Sequence, residues 1–178
     1  MSYEIDRRWS DRFIPIMRQL IGPHLLVPAP IERDMQQATD LIVLRARDMT
    51  IAARMRRFGY AHIYPWEITI RSIRDSGAKT ELEKLREGWG DWMFYGHASE
   101  DGGGIERWFL IDLHAWRAEF IRDGFAVALG KPAKYARVFV TKSNGDGTHL
   151  IAFDVRRFPP CLLIASSHAV PRDLADTA

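Results

Sequence analysis

Hydrophobic and polar positions repeat along this chain with two periods, and the changes of period mark its elements. Ile5, Trp9, Phe13, Ile16, Met17 and Leu20 recur at three- and four-residue steps, with Asp and Arg between them, as on one face of a helix. Pro15 falls inside that stripe and should kink or split the helix, and Gly22-Pro23 ends it. Pro28 and Pro30 make Leu25-Leu26-Val27 extended, and Ile31 to Ala38 reads as a short second helix. Next come Leu41 to Leu44, a polar turn at Arg45–Asp48, and Met49 to Arg57, which together read as a hairpin. In its second strand Met49, Ile51, Ala53 and Met55 share one face, and Thr50, Ala52, Arg54 and Arg56 the other. A third strand over 66–71 alternates cleanly, with Trp66, Ile68 and Ile70 opposite Glu67, Thr69 and Arg71.

Beyond Asp75-Ser76-Gly77, Thr80-Glu81-Leu82-Glu83 fits a capping box, so a helix should run from about 79 to 87 and stop at Gly88. Asp91 to His97 reads as a further strand, as does Arg107 to Asp112. The latter feeds a helix with Leu113, Trp116, Phe120 and Ile121 on one stripe and Gly124 as its stop. Tyr135–Thr141 and Thr148–Val155 flank Asn144-Gly145-Asp146-Gly147, a strong hairpin signal, and Cys161–Ala165 forms a last strand. No repeat or domain boundary interrupts the pattern. The chain reads as a single α+β domain over 1–178, a mixed β-sheet flanked by helices, with a C-terminal hairpin and strand over 135–165.

Composition narrows the function classes only slightly. The 178 residues are 47% hydrophobic and 27% charged, as in ordinary globular proteins. No apolar run approaches the ~20 residues of a membrane helix, and the first residues do not form a signal peptide, so no membrane partner is expected. A single cysteine, Cys161, excludes an internal disulfide and points to the cytoplasm; its apolar surroundings predict an inert thiol. The net charge is only +2, but twenty Arg stand against five Lys. Arg presents a planar fork to phosphate or carboxylate; a GC-rich genome would give the same bias. The six histidines have no zinc-site spacing and read as surface or hydrogen-bonded residues. Trp89, Trp92, Trp108 and Trp116 read as core, although a tryptophan exposed near the arginines could stack on a base.

If the strands neighbour one another, Arg54, Arg56, Glu67, Thr69 and Arg71 share a sheet face, which is either a site or a solvated surface. Helix, hairpin opening on Asp40, strand, helix and strand over 31–97 form an order that resembles the core of the PD-(D/E)XK nuclease superfamily. The resemblance implies a Mg²⁺ ion held by Asp40 and a second carboxylate, Glu67 first, with Glu81 or Asp91 behind it. It further implies that Arg54 orients the scissile phosphate; on the sheet-face reading, Arg54, Arg56 and Arg71 would bind nucleic acid. The chain departs from the family where an acidic-x-Lys motif belongs: it has Ala52-Ala53-Arg54 or Arg54-Met55-Arg56. Arg cannot act as a base near neutral pH. Phrases such as Gly90-Asp91-Trp92 and Thr80-Glu81-Leu82-Glu83-Lys84 also resemble uncharacterised proteins of phages and prophages. Three classes therefore stand open: a Mg²⁺-dependent nuclease or its degenerate relative, a non-catalytic binder of nucleic acid or protein (a phage accessory or anti-defence inhibitor), and a structural or assembly protein.

Overall fold

A computed structural model describes residues 3–28, 41–43, 49–74, 77–128, 139–143 and 148–171. The fold is α+β with a mixed sheet. The amphipathic stripe at the start forms two helices, α1 (Tyr3–Asp11) and α2 (Ile14–Ile21). Pro15 lies in the first turn of α2, where its missing N–H is no loss, so it separates the helices rather than bending one. Phe13, Met17 and Ile21, four residues apart, are the buried positions of this pair.

The strands that follow depart from the hairpin expected over 41–57. β2 (Leu41–Val43) pairs antiparallel with β1 (Leu26–Pro28), not with β3 (Ile51–Arg56). β3 instead lies parallel to β5 (Trp92–Ala98). This pairing sets Met55 beside Gly96, where a Cβ would come within 2.6 Å of the Met55 sulfur. Glycine there leaves the space that the Met55 side chain occupies across the strand pair. β6 (Ile105–Asp112) and β9 (Leu163–Ser166) complete a four-stranded sheet in the order β3-β5-β6-β9.

The strand expected over 66–71 is present as β4 (Glu67–Ile73), but in a different sheet. It pairs with β8 (His149–Asp154), which pairs with β7 (Phe139–Ser143), all antiparallel. Ile68, Thr69 and Ile70 are all buried, so β4 is covered on both faces. The expected solvated face holding Thr69 is thus interior, and the Thr69 hydroxyl is satisfied by the Tyr95 hydroxyl at 2.9 Å.

The four-stranded sheet has cores on both sides. Met93, Tyr95, Phe109 and Ile111 pack with Ile68, Ile70 and Phe153 of the second sheet, and Trp92, Phe94, Trp108 and Leu110 pack with α1 and α2. Between β3 and β4 lies a short helix, α3 (Tyr60–Ile63), and between β4 and β5 lies α4 (Glu81–Arg86). The Thr80–Glu83 capping box forms as expected. α5 (Leu113–Ala128) runs through Gly124, the expected stop. An internal glycine costs about 1 kcal/mol relative to alanine, too little to end a helix whose Leu113, Trp116 and Phe120 are packed in the core. Trp92, Trp108 and Trp116 are buried, but Trp89 is 67% exposed. Cys161 is also exposed, contrary to its apolar sequence context. None of the described helices is long and apolar enough to cross a membrane. Ile31–Ala38, Asp40, Tyr135–Val138 and the Asn144–Gly147 turn lie outside the described residues.

Candidate nucleic-acid interface

β3 is an edge strand: among the described residues it pairs only with β5, and its other side opens into a cleft of about 820 Å³. One wall comes from α1, the other from α4 and the turn after it, with Arg71 and Arg74 at the end of β4. Eight basic side chains line the cleft against three carboxylates. The chain as a whole carries only +2, so the positive charge is concentrated here.

Half of those cations are neutralised by carboxylates. Arg54 pairs with Glu81, which also accepts the Arg71 backbone N–H at 3.2 Å and so ties β3 to β4. Arg57 reaches Asp6 at 3.2 Å, Arg7 reaches Asp11 at 3.6 Å, and Lys79 reaches Glu87 at 2.7 Å. Arg56, Arg74 and Lys84 have no carboxylate partner among the described residues. Arg56 is held over the Tyr60 ring, 4.6 Å from its centroid, which orients the guanidinium without neutralising it.

Behind Arg56 the strand register builds a cross-sheet row, Arg56–His97–Arg107. His97 is 1% exposed, and neither ring nitrogen has a hydrogen-bond partner among the described residues, unlike the surface or hydrogen-bonded histidine expected. Burial, then the charges of Arg56 and Arg107, lower its pKa from 6.5 to about 4. His97 is thus neutral at pH 7, and the Arg107 guanidinium sits 4.5 Å from the Trp66 ring centroid.

Trp89 enters the cleft through the end of α4. Its N–H donates to the Lys84 carbonyl at 3.1 Å and that of Gly88 to the Leu85 carbonyl at 3.3 Å, the two bonds of a Schellman motif. Gly88 (φ 99°) and Gly90 (φ 77°) supply the left-handed backbone on either side. Arg117 Nη1 donates to the Gly90 carbonyl at 3.1 Å. The backbone around Trp89 is fixed while its indole, 67% exposed, lines the same cleft as Lys84.

The residues implied by the nuclease resemblance are distributed differently. Arg54, Arg56 and Arg71 do line one cleft. Glu67 lies in the second sheet opposite Asp154. Asp91 accepts from the Thr50 N–H at 2.7 Å and hydroxyl at 3.1 Å, and contacts His114 Nε2 at 2.8 Å. The Thr50 backbone bond, then the His114 and Thr50 side chains, hold its carboxyl below the usual carboxylate range. Among the described residues no three His, Cys, Asp or Glu side chains gather as a metal site. Glu81, the β3-facing carboxylate, already carries a guanidinium where a cation would sit. Asp40, the first of the implied Mg²⁺ ligands, lies outside the described residues. Sequence reasoning missed Arg74 and Lys84, whose role depends on how β4 and α4 converge on β3. It placed Trp89 in the core, although Gly88-Trp89-Gly90 after a capped helix was a visible signal for a turn. No protein-family model, curated protein or solved structure matches the chain.

Proposed function

We propose that the chain binds nucleic acid in the cleft along β3, with Arg56, Arg74 and Lys84 contacting phosphates. The observation that carries this reading is the set of three cations without carboxylate partners among the described residues, in a cleft whose other charges are largely paired off. Phosphate contacts release counterions, so the affinity should fall as salt rises. Arg and Lys need no bridging ion for this, and chelation should leave the binding unchanged.

The test is fluorescence anisotropy with a labelled oligonucleotide across a salt series. The triple variant Arg56→Ala, Arg74→Ala, Lys84→Ala should bind weakly and with a flatter dependence on salt. Each lost phosphate contact lowers the slope of log K against log salt by about 0.7 for a single strand or 0.9 for a duplex. Arg18→Ala, on α2 and outside the cleft, serves as the unaffected control. Absence of binding at low salt, or an unchanged slope in the triple variant, would refute the reading.

The open edge of β3 favours a second reading, in which an acidic segment of a protein partner adds to the sheet. Polyglutamate that displaces the oligonucleotide as effectively as unlabelled oligonucleotide does would favour that reading instead.

A further inference from the structure

Building on the nucleic-acid reading of the cleft, we infer that it selects single strands, with the Trp89 indole as a stacking platform for an unpaired base. Trp89 is 67% exposed and so buries little of its ring for stability, yet its backbone is held by the Schellman bonds and flanked by the Arg117–Gly90 contact. The backbone that carries the platform is therefore pre-organised, and capturing a base orders only the side chain. It also sits where a base would be delivered. Lys84 and Trp89 line the cleft together, so a phosphate on the ammonium brings its nucleoside to the indole.

The far end of the cleft carries the complementary feature. Past β3, Phe58 and Tyr60 are 44% and 41% exposed, and Tyr60 lines the cleft with Arg56 over its ring. The six residues of β3 that separate the two aromatic ends span about 20 Å. That length accommodates on the order of four nucleotides, a site size found for single-strand binders that combine a basic groove with aromatic rings. In a duplex the faces of interior bases are already stacked on one another and are not available to an indole. Phosphate contacts by Arg56, Arg74 and Lys84 serve either form of nucleic acid, whereas the indole serves only the single strand.

The test compares the intact chain with Trp89→Ala and Trp89→Phe, using a labelled oligothymidylate of about twelve nucleotides and a duplex of equal length. The exposed position makes both variants compatible with folding, which unfolding midpoints equal to the parent's verify. Trp89→Ala should weaken single-strand binding about ten-fold or more, and Trp89→Phe should retain most of it, since one stacked base contributes substantially to such complexes. Duplex affinity should be the same in all three proteins and lower than single-strand affinity. Equal single-strand affinity in Trp89→Ala, or equal losses on both substrates, overturns the stacking platform while leaving the phosphate-binding cleft in place. Failure of the intact chain to bind either substrate at low salt overturns both.

Discussion

Phe109→Ala should lower the free energy of unfolding by about 3–5 kcal/mol, the range for removing a fully buried aromatic ring. Phe109 has no exposure and lies on β6, between β5 and β9. Its ring packs 6.3 Å from that of Trp66, and it belongs to the core that joins the four-stranded sheet to the second sheet. A cavity there loosens both sheets at once. Domains of this kind are stable by only about 5–15 kcal/mol, so the variant loses a large share of its stability. Urea unfolding should show a lower midpoint with an unchanged slope. Ile63→Ala, at a position 69% exposed, should stay within about 0.5 kcal/mol of the parent. A Phe109 effect as small as that of Ile63 would mean that the two sheets do not share this core.

The second large effect is acid sensitivity centred on His97. In the folded chain its pKa is lowered to about 4 against an ordinary value of 6.5, because burial and the charges of Arg56 and Arg107 oppose its protonation. Between these values the unfolded chain takes up a proton that the folded chain refuses. The stability associated with neutral His97 is therefore complete above pH 6.5, declines as pH falls, and is exhausted near pH 4. The full loss is about 3 kcal/mol. Carboxylates held below their ordinary values of 3.8 and 4.5, such as Asp91 and Glu83, add an acid loss of the same sign at lower pH. The span from 6.5 down to about 5 lies above both carboxylate values, so there the histidine dominates. His97→Phe, which keeps a ring against Tyr95 and removes the titrating group, should flatten the stability profile across it. An unchanged slope in that variant would show that His97 is accessible to protons in the fold.

The elements were more legible than their partners. Helices α1, α2 and α4 and strands β3 to β6, β8 and β9 follow from local periodicity, proline and capping chemistry, which act over a few residues. Most of the pairings do not; the antiparallel β7–β8 pair, expected as a hairpin, is the exception. β3 looks like the second arm of a hairpin because a polar turn precedes it, yet its partner is β5, far downstream, with Ile51 beside Trp92 and Arg56 beside His97. β4 reads as half solvated because Thr69 alternates with Ile68 and Ile70, and only the Tyr95 hydroxyl across the interior resolves that position. The arginine clustering was visible in part: Arg54, Arg56 and Arg71 do share a cleft. Which of them keeps its charge for a ligand was not, because Glu81 neutralises Arg54 from a helix that periodicity cannot place in space.

The most direct test of the cleft as a nucleic-acid interface is an NMR titration of the isotopically labelled chain with a short single-stranded oligonucleotide. The reading predicts chemical-shift changes concentrated at the Trp89 indole N–H, the Arg56 and Arg74 guanidinium groups and the backbone amides of 51–56. The α2 face, including Arg18, should remain silent. Shifts scattered over the surface, confined to α2, or absent at low salt would contradict it.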